Sequence, residues 1–328
     1  MNRYHFVFLI VCMISSSCKK DNSSHKSPDS QAPTPANAAF VPISFTVPQF
    51  STTTKPLGSV KTTNALRDQI KYLYYVVYKG NISDKNYGLT PFRQIVQQAA
   101  DADFGTITDS LPPGHYGIYF VGSQAAGRIY GAHITYTDET NKYNPVFTFD
   151  SNTFSENTFY KKLDTTINAK VNQSVSLTRI VGKVIIHITD TIPSNAAKFR
   201  LNFENFPPGL DLTYGEGLYD DNGHPTASLL YDIPAASLGK RDVEVSAAAW
   251  RYSYTEISLD CLDKNDHVIV HNIMPRAQFD RYISIDSNKQ YVFTGELFAK
   301  STPFTVTIND QWNAPLYGSY SLIPSSKR

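Results

Sequence analysis

From about residue 40 onward, apolar and polar residues alternate in short runs. Residues 43–47 alternate with period two, and Lys198–Glu204 places three apolar side chains on one face and polar side chains on the other. This alternation, bounded by turn residues, is typical of half-buried antiparallel strands. Further strands are predicted at residues 70–78, 104–108, 116–121, 184–188, 243–247, 257–262, 268–271, 291–296 and 305–308. Short strands at this spacing favour an all-β chain of sandwiches or barrels.

Residues 90–99 fit two structures. Thr90 is a candidate helix cap, with Pro91 at the first helical position. The apolar residues that share one helical face are Phe92, Ile95, Val96 and Ala99. The same segment is equally compatible with a strand, so the pattern leaves this choice open.

The amino terminus has the layout of a secretory signal peptide. Arg3 precedes an apolar stretch at residues 6–14, and three serines follow it. That stretch is too short to span a bilayer, which needs about 20 apolar residues. A charged start, a short apolar run and small residues are the layout expected of a signal peptide, here residues 1–17.

Cys18 follows the serines directly, and this arrangement resembles the relaxed lipobox of Bacteroidota lipoproteins. The resemblance implies cleavage before Cys18 and lipidation of its thiol. An ordinary signal peptide with an incidental cysteine is the alternative. Lipid on Cys18 would anchor the protein to the outer membrane, where it is expected to be exposed at the cell surface. Two or more acyl chains on one protein are enough for stable membrane attachment.

The segment that follows, residues 18–40, is rich in Ser, Pro, Asn and Ala and has few apolar residues. Such a segment cannot bury enough apolar surface to fold, so it is predicted to be a flexible tether. A coil of this length reaches about 25 Å, from about 5–6 Å times the square root of its length. The tether would hold the folded part away from a membrane.

The remaining length predicts two domains, at residues 41–172 and 173–328. The net charge is +1, which disfavours a nucleic-acid partner because such partners require a basic face. With Cys18 lipidated and Cys12 removed, Cys261 has no cysteine to pair with. Core burial must therefore stabilise both domains.

The sequence contains no convincing catalytic or metal-binding motif. His267 and His271 share a strand face, where a rise of about 3.3 Å per residue puts them about 13 Å apart, too far for one metal ion. Cys261 alternates with apolar residues and is predicted to be a buried structural thiol. We therefore expect no enzyme activity, no metal and no cofactor.

One aromatic row is a candidate binding surface. Period two places Trp250, Tyr252 and Tyr254 on one face of a predicted strand, where the rings could stack on sugars. A bulge between Tyr254 and Ile257 would instead turn these rings into the core, and that interpretation is favoured.

Two segments carry a resemblance to a known family. They are VSLTRIVGKVIIHI at residues 175–188, preceded by NTFY at residues 157–160, and DSLPPGHYGIY at residues 109–119. Both resemble the fimbrillin superfamily of Bacteroidota, particularly its lipid-anchored minor or anchor subunits. The resemblance implies two tandem transthyretin-like β-sandwich domains.

The implied role is structural. Subunits of this family join by strand exchange, in which an extended strand of one chain completes an open sheet of the next. The resemblance thus implies other fimbrial subunits or cell-surface ligands as partners, and an anchoring or tip position with a role in adhesion. Polymerising members are cut by a protease, often after Arg, which makes Arg67 a candidate processing site. The C-terminal run from Phe304 to Ser325 is a candidate donor strand or the last strand of its domain. A surface glycan-binding lipoprotein is the alternative function.

Overall fold

The computed structural model describes residues 39–48, 66–81, 87–134, 142–149, 158–218, 226–275, 282–299, 301–310 and 320–322. The chain divides into two compact units, Met1–Ala38 and Ala39–Arg328, and the described residues belong to the second. The predicted signal peptide, Cys18 and nearly all of the predicted tether lie outside them. Strands predominate in the described ranges, so the predicted all-β class is confirmed. No helix in these ranges has both the length and the apolar character needed to cross a membrane.

The described part of the first half contains one short helix and ten strands. They are β1 (Val41–Thr46), α1 (Leu66–Gln69), β2 (Tyr72–Lys79), β3 (Arg93–Gln98), β4 (Thr106–Leu111), β5 (Gly114–Ser123), β6 (Gly127–Ile134), β7 (Lys142–Phe149), β8 (Phe159–Ile167), β9 (Val171–Ser174) and β10 (Thr178–Arg179). The alternation seen in the sequence produces β1, where Ile43 and Phe45 are buried and Pro42 and Thr46 are exposed. One face of this strand therefore belongs to a core.

Two sheets enclose the core of the first sandwich. One has the order β4-β1-β9 and the other β10-β8-β5-β2-β3. Phe45 of β1 crosses the gap between them, with its ring centroid 6.0 Å from that of Tyr75 and 5.3 Å from that of Phe120. All three rings are buried, so aromatic packing joins the two sheets.

The ambiguous segment at residues 90–99 contains strand β3. It pairs with β2 in antiparallel register, from Tyr72 opposite Gln98 to Val77 opposite Arg93. The buried Gln97 side chain donates to the Thr106 carbonyl at 2.8 Å and accepts from Gly105 N–H at 3.0 Å. These bonds link the edge of one sheet to the edge of the other, which a helix at this position would not do.

The described part of the second half contains twelve strands and one 3₁₀ helix. They are β11 (Val181–Ile188), β12 (Lys198–Glu204), β13 (Leu210–Asp211), β14 (Glu216–Gly217), β15 (Ala227–Asp232), the 3₁₀ helix (Ala235–Ser237), β16 (Val243–Trp250), β17 (Tyr252–Leu262), β18 (Val268–Ile273), β19 (Ile283–Ile285), β20 (Gln290–Gly295), β21 (Thr305–Asn309) and β22 (Tyr320–Leu322). The predicted strand at Lys198–Glu204 is confirmed in full, because three large apolar side chains on one face leave one stable register.

The second sandwich also has two sheets, with orders β21-β20-β11-β16-β22 and β15-β12-β17-β18. The Tyr231 hydroxyl of β15 donates to the Ser246 carbonyl of β16 at 2.8 Å, which places these two strands over each other. The largest core side chains, fully buried, include Phe199, Phe203 and Phe293.

The sheets of the first sandwich continue beyond the predicted boundary at residue 172. β9 pairs in parallel with β1, and β10 pairs with β8. The second sandwich begins with β11 at Val181. Strands from both halves also build a sheet with the order β14-β13-β7-β6, in which Leu210 lies opposite Phe147. The two halves are therefore joined by backbone pairing, which local sequence patterns do not predict.

A third core lies where the two halves meet, and we call it the interface core. Its buried aromatic members are Tyr74, Tyr78, Tyr87, Tyr119, Phe147, Tyr160 and Trp250. The Tyr87 and Tyr119 hydroxyls are 3.1 Å apart, and the Tyr160 hydroxyl donates to the Leu212 carbonyl. Tyrosine suits this position because its ring is apolar while its hydroxyl needs a buried partner.

Candidate functional site

Cys18, the predicted lipidation site, lies outside the described residues, so its lipidation stays a prediction. Trp312, the second tryptophan of the chain, lies outside them too. The other candidates, namely Arg67, the aromatic residues and the terminal strands, are described.

The described residues contain no group of three or more His, Cys, Asp or Glu side chains able to hold a metal ion. His267 and His271 each lie beside a different carboxylate. His271 Nδ1 lies 2.6 Å from an Asp260 oxygen, and His267 Nδ1 lies 3.4 Å from an Asp263 oxygen. Cys261 is fully buried in the core, and burial raises the pKa of its thiol to about 12. Such a thiol is protonated at neutral pH and is a poor nucleophile.

The aromatic candidates do not share one strand. β16 ends at Trp250 and β17 begins at Tyr252, with Arg251 in a bend between them. Trp250 is buried in the interface core, where its ring stacks on Phe149 at 5.4 Å and 6°. The structure thus differs from the predicted row at Trp250, because a strand ends there and the next strand starts in a different sheet.

Tyr252 and Tyr254 lie near the surface and form a cluster with a third tyrosine, Tyr282. Tyr254 is 53% exposed. Its ring is 5.9 Å from that of Tyr252 at 74°, and 5.9 Å from that of Tyr282 at 79°. Sugar stacking favours a flat platform, whereas neighbouring rings in this cluster are nearly perpendicular. The register of β17 against β19 shifts between Tyr252 and Thr255, whereas the favoured interpretation of the sequence places a bulge between Tyr254 and Ile257. Of the three aromatic residues, only Trp250 is buried in a core.

Arg67, the candidate processing site, lies in the helical turn α1. Its guanidinium donates to the Ala99 carbonyl at 2.5 Å and to the Asp101 carbonyl at 2.8 Å, and it lies over the Phe104 ring. Its own carbonyl accepts from Lys71 Nζ at 2.9 Å. A protease that cuts after Arg67 must first open this turn, because the side chain and the carbonyl are both engaged.

β1 is the central strand of its three-stranded sheet. β1 lies between two strands, antiparallel to β4 and parallel to β9. Two further backbone bonds extend the pairing, from Val47 N–H to the Gly105 carbonyl and from Val175 N–H to the Thr46 carbonyl, both at 2.8 Å. Removing β1 would leave a groove with free backbone on both sides and apolar pockets for alternate side chains.

The C-terminal run contributes strands to opposite edges of one sheet. β21 pairs with β20 over five residues, and β22 pairs with β16 over three. Of the two, β22 has the fewer backbone pairs, with Tyr320, Ser321 and Leu322 opposite residues Val243, Glu244 and Val245.

A polar network across the outer face of the second sandwich was missed by sequence reasoning. The Arg200 guanidinium donates to Asp260 at 2.6 and 2.8 Å, and Asn202 donates to the same oxygen at 3.1 Å. Asp260 is 3% exposed. Burial opposes its ionisation, but hydrogen bonds from His271, Arg200 and Asn202 outweigh burial and hold the pKa of Asp260 below its ordinary value. The cross-strand register that aligns these residues is not visible in local patterns.

A second buried carboxylate, Asp211, lies at the junction of the two halves. It accepts from the Asn144 amide at 2.8 Å and from Thr213 N–H at 2.7 Å. Burial raises its pKa above the ordinary value, and these hydrogen bonds offset that effect only in part. Asp211 therefore fixes the β13 turn against β7 rather than marking a binding site.

Neither a protein-family model nor a curated protein sequence matches this chain. Solved structures show a likeness at low identity. The fimbrial anchor protein Mfa2 of Porphyromonas gingivalis is 11% identical, with a TM-score of 0.42, and the match covers 86% of this chain and 99% of that chain. The C-terminally truncated fimbrial tip protein Mfa3 of the same organism is 9% identical, with a TM-score of 0.37 and coverages of 82% and 99%.

A protein of Bacteroides thetaiotaomicron for which polysaccharide binding has been proposed is also similar. It is 13% identical, with a TM-score of 0.48, and the match covers 82% of this chain and 96% of that chain. Because all three TM-scores lie below 0.5, the function has to be argued from the chain's own residues.

Proposed function

We propose that this chain is a fimbrillin-like lipoprotein of the cell surface that occupies one end of a fimbria, as an anchor or a tip, and contributes to adhesion. The observation that carries the proposal is the position of β1, which is paired on both sides within its sheet. A chain that keeps this strand has its acceptor groove filled. It can donate a strand to a neighbour but cannot receive one, so it ends a polymer.

The membrane attachment in this proposal comes from lipid on Cys18. The apolar run before Cys18 and the polar segment after it support a lipidated amino terminus followed by a tether. The sandwiches would then be held outside the outer membrane, where other subunits are accessible. The proposal needs no other attachment of the protein to the membrane than lipid on Cys18.

The donor strand in this proposal is the C-terminal segment that contains β22. A pairing of only three residues is easily replaced, and backbone bonds to a neighbour's groove would compensate for its loss. Arg67 stays uncut in this role. Its guanidinium bonds to the Ala99 and Asp101 carbonyls support that expectation, because they hold the turn closed.

Intact-protein mass spectrometry and size analysis test the proposal on protein exported by a native-like host, with and without an arginine-specific protease. We expect an acylated amino terminus at Cys18, no cleavage after Arg67, and incorporation into short oligomers. A Cys18→Ser variant should lose the acyl mass and the membrane attachment. An otherwise matched chain ending at Asn309 should keep both but lose the end-to-end oligomers that use the C-terminal segment.

Two outcomes contradict the proposal. Cleavage after Arg67 followed by long polymers, abolished in an Arg67→Gln variant, would make the chain a shaft subunit. A chain that stays monomeric throughout would favour the glycan-binding alternative, whose binding residues would be the exposed Tyr254 and the half-buried Tyr252 and Tyr282 beside it.

A further inference from the structure

The edge strand β21 exposes residues that belong to a core face. Val306 and Ile308 lie opposite Phe293 and Tyr291 of β20, both of which are buried. Val306 is nevertheless 38% exposed and Ile308 54% exposed. Within the described part of the chain, β21 pairs with β20 alone, so its other backbone edge is open.

This edge lacks the usual protection against pairing. Natural edge strands are blocked by charged side chains, prolines or bulges. Residues 301–309 contain no charged side chain, and Pro303 precedes the strand rather than interrupting it. The pairing with β20 runs without a register shift. Such an edge is competent to accept another strand.

The strand is complementary to a second copy of itself. Its residues alternate as Thr305, Val306, Thr307, Ile308 and Asn309. In an antiparallel pair centred on Thr307, Val306 lies opposite Ile308 of the second copy, and Thr305 lies opposite its Asn309. Apolar residues then meet apolar residues and polar residues meet polar residues, as an interface with two-fold symmetry requires.

Among the described residues, the second sheet of the sandwich also ends in an unpaired edge on this side. β15 lies over β16, as the bond from Tyr231 to Ser246 establishes, and β19 pairs with β17 and leads into β20. The order of strands therefore places the edge strand β18 on the side of β21. β18 contains no Asp, Glu, Lys or Arg, so it presents no fixed charge that would repel a second copy.

We propose that two copies of this chain associate side by side through β21, antiparallel about Thr307, so that their sheets become continuous. This contact goes beyond the proposed function, which uses β1 and the C-terminal strand and leaves the β21 edge free. It gives the chain a lateral partner in addition to an axial one.

A charge-swap experiment on the exported chain tests the pairing. Thr307→Lys and Thr307→Glu each put like charges directly opposite across the two-fold axis, which disfavours pairing. Sedimentation analysis should show the parent as a dimer, each variant alone as a monomer, and an equimolar mixture of the two variants as a dimer again. Thr307 is exposed, so both variants should keep the parent's circular dichroism and denaturation midpoint. Recovery by mixing separates a lost contact from a lost fold.

Cysteine cross-linking tests the register. Directly opposite residues in an antiparallel pair have Cα atoms about 4.5–5.5 Å apart, within disulfide range. Thr307→Cys should therefore form a covalent dimer on mild oxidation. Thr305→Cys is the matched control, because its copy lies about 13 Å away at about 3.3 Å per residue. Mixing Thr305→Cys with Asn309→Cys should restore cross-linking, and the parent chain reports any background from its own cysteines.

A parent chain that is monomeric at all concentrations would overturn the inference. Equal cross-linking of Thr307→Cys and Thr305→Cys would overturn it as well, because the register would then be wrong. Equal cross-linking leaves the end-of-fimbria role standing, since that role is tested through Cys18, Arg67 and the C-terminal strand. A chain that is monomeric throughout would contradict both proposals.

Discussion

The first described strand and the last long one occupy opposite kinds of position. β1 lies in the middle of a sheet and buries Ile43 and Phe45, whereas β21 lies at an edge and exposes Val306 and Ile308. Both strands alternate with period two, so their sequences look alike. The contribution of a strand to stability or to binding therefore depends on how many neighbouring strands it pairs with. β1 holds a sandwich together, while β21 is available for a partner.

The largest expected effect is at Phe45. Phe45→Ala should lower the free energy of unfolding by about 3–5 kcal/mol, because a ring packed against Tyr75 and Phe120 is replaced by a cavity. Chemical denaturation of the variant and parent measures the difference. Thr46→Ala on the exposed face of β1 is the control and should change stability far less. A Phe45 effect below about 1 kcal/mol would mean that β1 does not complete the core.

Replacing Asp109 of β4, the strand next to β1, should cause a loss of stability of intermediate size. Asp109 of β4 accepts from the Tyr75 hydroxyl at 3.3 Å and pairs with Arg93 at 3.3 Å. Asp109→Ala should cost about 1–3 kcal/mol, since Tyr75 loses its acceptor in a partly buried place. The control is denaturation of the Thr108→Ala variant, which changes the exposed neighbouring position. Equal losses of stability in the two variants would show that the contacts of Asp109 with Tyr75 and Arg93 do not stabilise β4.

Asp260 of the second sandwich should show a pH-dependent contribution of similar size. Its folded-state pKa is depressed, so its stabilising effect is present above the unfolded value of about 3.9 and is lost as the pH falls through the folded value. Asp260→Asn should lower stability by about 1–3 kcal/mol at pH 7, and this difference should shrink below about pH 4. Denaturation midpoints between pH 7 and 2 provide the measurement. A difference independent of pH would show that the carboxylate charge is not responsible.

The smallest effect is expected at β21. Ile308→Thr should change the unfolding free energy by less than about 0.5 kcal/mol, because the side chain is 54% exposed. The same denaturation assay used for Phe45→Ala gives the direct contrast, measured at a concentration where the chain is monomeric. A loss comparable to that of Phe45→Ala would remove the distinction between the two strands.

Local alternation was sufficient to predict most strands, including Lys198–Glu204 in full, because each strand carries its buried face in its own residues. It was insufficient at residues 90–99, where the same apolar residues also suit a helix. The pairing of residues 93–98 with β2 makes them a strand. It was also insufficient at Trp250, where the bend at Arg251 separates strands that belong to different sheets. A one-residue bend leaves no clear signal in a period-two pattern.

The candidate site was predictable only where it depends on local chemistry. The apolar run before Cys18 and the arginine at position 67 are visible in the sequence. The central position of β1, the open edge of β21 and the network around Asp260 all depend on register between distant strands. Such register is set by cross-strand packing, and a single strand does not contain it.

The sheet shared by the two halves determines how the protein carries a mechanical load. In the proposed role, a pull between a lipid-anchored amino terminus and a carboxyl-terminal partner would load the pairing of β7 with β13 and the interface core around Trp250. No flexible linker yields first, since β10 ends at Arg179 and β11 begins at Val181. In that role, tension would reach both sandwiches together, and the paired halves would resist stretching as one stiff unit.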